Sequence, residues 1–335
     1  MALAVRILPL LMFLPALSVG QLFQNLGGQR AGTAVFPFLK IETSAAGAGM
    51  AGAGVAMPLD ASSLFYNPAN ITALKRRDLV LSRREMAAGI VYDYFALAVP
   101  IRQYHTTAIS YGVLHMEPML ETTEYLPFGT GREFIFRDEF VALTHSIQLA
   151  DRFAFGTTFK YVKETLADVT MGAWLFDFGT YYLTGFRSLR VTSSFSNFGR
   201  QSRPEGAYSK LILDQNGEEV LVDSIGFRAF SPPTTFRLGA GYDLLEQPGH
   251  ELSLAFQLAH PADNAEVYAL GVNYVYRRMV SLRAGYISNT GGFGLAVGAG
   301  LRLPLPGGSE LRLDYAYSQR EYLTAPQHFS IGFGL

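Results

Sequence analysis

The most restrictive feature of this chain is a strict two-residue alternation, plainest at its C-terminal end. Phe329, Ile331, Phe333 and Leu335 fall on one face, and Ser330, Gly332 and Gly334 fall on the other. A period of two is the mark of a β-strand with unlike sides. The pattern recurs upstream. Leu311, Leu313, Tyr315 and Tyr317 alternate with Arg312, Asp314, Ala316 and Ser318, and Phe236, Leu238, Ala240 and Tyr242 alternate with Arg237, Gly239, Gly241 and Asp243. The face opposite the apolar one holds Gly, Ser, Arg and Asp. Only 16% of residues are charged while 49% are hydrophobic, against about 25% charged in an ordinary soluble chain. A soluble two-sheet sandwich also alternates, but it would turn polar faces outward. The composition fits instead a barrel with apolar side chains toward lipid and small or polar ones toward a lumen.

Dividing the alternating region gives segments near 78–87, 90–100, 103–115, 134–148, 152–165, 168–182, 186–198, 234–244, 250–260, 265–276, 278–287, 292–303, 310–319 and 327–335. The expected fold is therefore an all-β transmembrane outer-membrane barrel of about fourteen antiparallel strands, an even number as in bacterial single-chain barrels. Loop lengths test the division independently. If the first strand rises from the periplasm, the long connections 116–133 and 199–233 both face outside, and the turns at the other end are compact. Such barrels have short periplasmic turns and longer outer loops.

The first twenty residues read as a secretory signal. Arg6 supplies the positive start, 7–17 the apolar core, and Ser18-Val19-Gly20 the small residues before cleavage after Gly20. No later run of apolar residues is long enough for a spanning helix. The chain has no cysteine, which excludes disulfides, thiolate chemistry and a lipoprotein anchor. Its net charge of −1 gives no field that would draw nucleic acid. Residues 1–20 are thus expected to be a signal peptide, 21–77 a hatch, and 78–335 the barrel. Segment 21–77 lacks sustained alternation, and its stretch 45–55 is nearly all Gly and Ala around Met50. Small residues suit close approach of backbones, so a plug inside the barrel is the expected place. A flexible periplasmic tail is the other reading, and Phe36, Phe38, Leu39, Ile41, Leu64, Phe65 and Tyr66 speak against it.

No pattern points to an enzyme, a metal or a cofactor. Gly47-Ala48-Gly49-Met50-Ala51-Gly52 matches a dinucleotide-loop pattern, but residue 72 is Thr and Asp60 comes too early to serve the ribose. The six histidines show no ligand spacing and there is no nucleophile elbow. A site assembled from distant strands stays open, since no motif search would see it. Lys160, Asp177, Arg190, Arg237, Asp243, Arg283, Arg302, Arg312 and Asp314 are expected to face the lumen. They would either line a charged pore or pair with one another, and pairing is favoured because buried charges are compensated. Leu120, Tyr125 and Phe128 on one long loop, and Tyr208, Leu213, Phe227 and Phe230 on the other, are candidate partner-binding residues. They could equally pack on one another above the barrel mouth.

The N-terminal segment also carries a resemblance. Its motifs are Gly28-Gln29-Arg30-Ala31-Gly32-Thr33-Ala34, Phe38-Leu39-Lys40-Ile41, the tract 45–55, and the stretch 60–70. With Asp314-Tyr315-Ala316-Tyr317-Ser318 and His328-Phe329-Ser330-Ile331-Gly332, they resemble the PorV/PorQ family of outer-membrane proteins. The Asp-Ala-Ser…Asn-Pro-Ala element is more distantly similar to the FadL fatty-acid transporters, in which the N-terminal segment forms a hatch in a fourteen-stranded barrel. The resemblance covers about fifty N-terminal and twenty C-terminal residues, and the family's usual Trp and Gly around Asn-Pro-Ala are here Tyr66 and Asn70. It implies a hatch motif of Gly47, Gly49, Met50, Gly52, Asp60, Asn67, Pro68 and Ala69. It also implies a type IX secretion component that receives cargo with a C-terminal signal domain at the translocon and passes it to surface attachment proteins. The alternative it implies is FadL-like uptake of hydrophobic small molecules. Besides those proteins, the expected contact is membrane lipid.

Overall fold

The computed structural model describes residues 31–213, 219–289, 294–319 and 325–335, and the side chains of 207–224 lie outside that description. The expected signal peptide therefore falls outside the described residues, as do 21–30 of the expected hatch. The strands are β1 Asp78–Glu85, β2 Val91–Arg102, β3 His105–His115, β4 Met119–Leu120, β5 Glu133–Phe134, β6 Phe136–Ala150, β7 Phe153–Leu166, β8 Val169–Leu183, β9 Arg190–Gly199, β10 Ala207–Leu213, β11 Glu219–Gly226, β12 Thr235–Gln247, β13 His250–Pro261, β14 Val267–Tyr276, β15 Val280–Ile287, β16 Leu295–Pro304, β17 Glu310–Ser318 and β18 Gln327–Gly334. Fourteen of them close a barrel in the order β1-β18-β17-β16-β15-β14-β13-β12-β9-β8-β7-β6-β3-β2. Closure is made by β1 on β18, antiparallel from Asp78↔Gly334 to Glu85↔Gln327. No edge is left open, as spanning a bilayer requires.

Each barrel strand coincides, within a few residues, with one of the fourteen alternating segments. The outer loops differ from the sequence reading in one respect. Each carries a small hairpin of its own, β4 on β5 and β10 on β11. A two-residue strand such as β4 is too short to show a period.

The two faces separate as the alternation requires. On β18, Phe329 and Ile331 are exposed on the outside while His328 and Ser330 are buried within. Trp174, Phe176 and Phe178 on β8, Leu282 on β15, and Tyr315 and Tyr317 on β17 continue the outer apolar belt. The oily outer face is interrupted near the outer ends of β1, β2, β3 and β6. There Arg83 meets Asp93 at 3.7 Å, His115 meets Asp93 at 3.1 Å, and Arg137 meets Glu139 at 3.0 Å. Charges on the lipid face cost roughly 2–4 kcal/mol at the midplane but only about 0–1 near the interface, so strand ends are where they are tolerated.

Residues 34–72 pack within the lumen, and 73–77 lead out to the start of β1. They form 3-10 turns at Pro37–Lys40, Ala61–Phe65 and Pro68–Ala73, and one helical turn at Ala45–Ala48. Each of the last three is started by a side-chain cap: Asp60 accepts from Ser62 N, Asn67 from Ala69 N, and Ser44 from Ala46 and Gly47 N. Capping suits short turns that have few internal hydrogen bonds. Phe36, Phe38, Leu39, Leu64 and Ile71 pack on Tyr92, Tyr94, Phe140, Val162 and Leu175 of the wall, so the core lies inside the barrel.

Candidate functional site: the hatch and its seat

A plug without a ladder must place its backbone groups elsewhere, and here the lumen side chains receive them. Descending from the outer end, Val35 N donates to Ser231 O of the long outer loop at 3.1 Å. Lys40 Nζ lies 2.5 Å from Asp263 Oδ2, in the connection between β13 and β14. Ala45 N donates to Ser330 Oγ (2.9 Å), and Val55 N to Gln257 Oε1 (3.2 Å). Thr192 Oγ1 donates to Val55 O and Arg190 Nε to Ala56 O. Ser194 Oγ donates to Tyr66 O (2.6 Å), Asn67 Nδ2 to Thr180 O (2.9 Å), and Ser146 Oγ to Pro68 O (2.6 Å). Ala61 N finally donates to Asp78 Oδ1 at the start of β1 (2.8 Å). The chain thus runs from the outer loops to the periplasmic end, touching opposite walls on the way.

Bare backbone on both sides permits this closeness. A Cβ built on Gly49 would stand 3.0 Å from Gly298 Cα of β16, and one on Gly285 of β15 would collide with the Met50 carbonyl group. The residues singled out from the hatch motif take distinct places. Gly47 packs against the Tyr66 ring hydroxyl and Glu42, and Gly52 has φ 82°. Met50, Asn67 and Ala69 are fully buried, Asp60 and Asn67 are caps, and the Pro68 carbonyl accepts from the wall.

Most of the lumen charges singled out from the sequence are paired. Lys160 stands 3.0 Å from Asp177, Arg190 2.7 Å from Asp243, Arg283 2.5 Å from Asp314, and Arg312 2.5 Å from Asp78. Arg302 faces Glu310 at 3.9 Å, and Arg237 donates to Ser196 and lies over the Phe65 ring. Of the two readings of these charges, a conducting pore and mutual pairing, the geometry supports the second.

Sequence reasoning missed two features. Asp138 and Glu164 stand directly opposite one another on β6 and β7, and Asp138 is almost wholly buried. Their places on the inward parity were the available signal. Glu42 is the second. It sits in the hatch beside the Tyr66 hydroxyl, and burial raises its carboxyl to about 7 against the opposing pull of that hydroxyl, Arg84 and Arg237. Nothing in the local sequence distinguishes it from a surface glutamate.

The hatch divides the interior. On the outer side a cavity of ≈ 320 Å³ lies between hatch residues such as Ile41, Glu42, Ala48 and Ala51 and the wall at Arg84, Met86, Ile287 and Ala296. A void of only ≈ 30 Å³ remains beside Phe65 and Arg237 in the middle. Toward the periplasm lie two larger cavities, ≈ 650 Å³ and ≈ 1070 Å³. Every neighbouring pair of barrel strands is hydrogen-bonded, so among the described residues the wall shows no missing strand pairing beside the outer cavity.

The fold is similar to that of several solved structures. The toluene transporter TbuX of Ralstonia pickettii superposes with TM-score 0.56 at 10% identity, covering 88% of this chain and 98% of that one. The monoaromatic hydrocarbon channel CymD gives 0.55 at 11% identity over 87% and 96%, and the toluene transporter TodX of Pseudomonas putida 0.51 at 12% over 82% and 92%. The likeness is one of fold. It supports the fourteen-stranded fold that the FadL part of the resemblance implies, whereas the PorV/PorQ resemblance rests on its motifs alone. No protein-family model matches the sequence, and no curated protein matches it.

The loop candidates divide. Tyr125 and Phe128 are 92% and 96% exposed, and Leu120 and Phe230 about half so. Leu120 packs against Gly129 within its own loop. Phe227 is half-buried. Tyr208 and Leu213 lie on the β10–β11 hairpin, with side chains outside the described residues.

Proposed function

We propose that this barrel admits hydrophobic small molecules through the outer membrane past its hatch. The observation that carries the reading is the division of the lumen. A largely apolar outer cavity, between hatch and wall, is separated only by the hatch from wide periplasmic cavities. A ligand entering from outside would meet the cavity first and would need the hatch to shift. The toluene and monoaromatic transport named for TbuX, TodX and CymD supports the same reading. The test is entry of a hydrophobic fluorophore, N-phenylnaphthylamine, into cells with an intact lipopolysaccharide outer membrane. Cells producing the barrel should take up the probe faster than cells with an empty vector. Equal rates at equal barrel abundance would refute the reading.

A second reading is a type IX secretion role, handing cargo with a C-terminal signal domain to surface attachment proteins. Its support is the ordered N-terminal and C-terminal motifs, together with Tyr125 and Phe128 held almost fully exposed on an outer loop. Cross-linking and purification from its native membrane separate the two. Recovery of secreted proteins bearing that domain supports the second reading, and a bound hydrophobic molecule without them supports the first.

A further inference from the structure

The geometry points to the outer cavity as a site for a small neutral molecule carrying one hydroxyl, of single-ring size such as a phenol, with Glu42 as the residue that selects it. This inference rests on the uptake reading and narrows its substrate class.

Three observations carry it. The first is size. At ≈ 320 Å³ the cavity stands at the small end of ligand pockets, which span roughly 300–1,000 Å³. It has room for a single ring, which a cavity of about 150 Å³ already accommodates.

The second is the character of the wall. Ile41, Ala48, Ala51, Met86, Ile287 and Ala296 make most of the sides apolar, and among the polar lining residues Glu42, Arg84, Ser318 and Gln319 the carboxyl of Glu42 is the one acid. Lys40, at the rim, is already committed to Asp263.

The third is the state of Glu42. Its Oε1 is buried with no well-aligned hydrogen bond, and the facing Tyr66 hydroxyl is in the same condition. The other oxygen lies toward Gly52 at the cavity side.

These facts discriminate between ligands. A pure hydrocarbon offers no donor to the Glu42 oxygen on the cavity side and gains nothing from it. A carboxylate ligand would bring its charge against that of Glu42. A hydroxyl does better than either, because it donates to the Glu42 oxygen and carries no charge. The carboxyl, lifted to about 7 by burial with Tyr66, Arg84 and Arg237 facing it, keeps an accepting oxygen in both protonation states.

The test is calorimetric titration of the purified full chain in detergent with p-cresol, toluene and benzoate. Wild-type protein should bind p-cresol about tenfold more tightly than either of the others. At pH 8, where Glu42 is ionised, Glu42→Gln should weaken p-cresol about tenfold and leave toluene unchanged, since a charge-assisted hydrogen bond becomes a neutral one. Ala296→Leu, which fills the cavity from β16 without touching the polar groups, should weaken all three probes. It also serves if Glu42→Gln fails to fold. Toluene binding as tightly as p-cresol, or an Ala296→Leu barrel binding p-cresol unchanged, would overturn the inference. In that event faster fluorophore entry would still leave the uptake reading standing, whereas failure of both measurements would remove the reading itself.

Discussion

At the scale of single residues, the seat of the hatch depends on backbone meeting backbone. A Cβ on Gly285 would be forced into the Met50 carbonyl and would stand 2.7 Å from Ala51 N. Backbone cannot swing away as a long side chain can. Gly285→Ala should therefore cost about 1–3 kcal/mol, the usual range for overpacking, although alanine in a strand interior is otherwise favourable relative to glycine. The temperature at which the folded barrel loses its fast electrophoretic mobility would register the loss. Glu42 makes a second residue-scale prediction. Its carboxyl is raised from 4.5 to about 7, so the seated hatch favours the protonated form. The stability this confers is complete below about 4.5 and fades as pH rises through about 7. The melting midpoint should fall between pH 5 and pH 8, and Glu42→Gln should flatten that dependence. Neither Gly285 nor Glu42 could be recognised from the sequence as a contact. Gly285 reads as one more small lumen residue, and its partner lies far away in the chain. The inward direction of Gly285 was legible, because lipid forces Tyr286 to the other side.

Legibility improves at the scale of elements, and unevenly. Strands such as β17 and β18 declared themselves because hydrocarbon tolerates few polar side chains, so every second position was constrained. The hatch turns Ala61–Phe65 and Pro68–Ala73 carry no such period, since they are enclosed on all sides and held by Asp60, Asn67 and wall hydroxyls. Their position inside the lumen could be inferred from composition, but their route could not. Pairing between elements supplies a prediction here. Arg283 on β15 and Asp314 on β17 sit 2.5 Å apart with little exposure, reaching across β16. Arg283→Met strands a carboxylate and should cost about 3–5 kcal/mol, whereas Arg283→Met with Asp314→Leu should recover much of it. Urea titration of the three variants in detergent would show this. A double variant as unstable as the single one would mean that the pair has a role beyond mutual compensation.

For the whole molecule, the uptake reading requires a closed wall and a hatch that shifts to open a path for hydrophobic molecules. The wall is closed by β1 on β18, and the hatch is tied to it by hydrogen bonds from one end of the lumen to the other. The chain has no cysteine of its own, so a single engineered pair can lock the hatch without competition. Ala45 and Ser330 suit this purpose, the backbone nitrogen of one lying 2.9 Å from the hydroxyl of the other. The decisive measurement is fluorophore entry into cells producing the Ala45→Cys, Ser330→Cys barrel, with and without reductant. Entry should fall to the empty-vector rate when the cross-link is formed and return when it is reduced. Undiminished entry through a barrel shown to be fully cross-linked would contradict gating by the hatch.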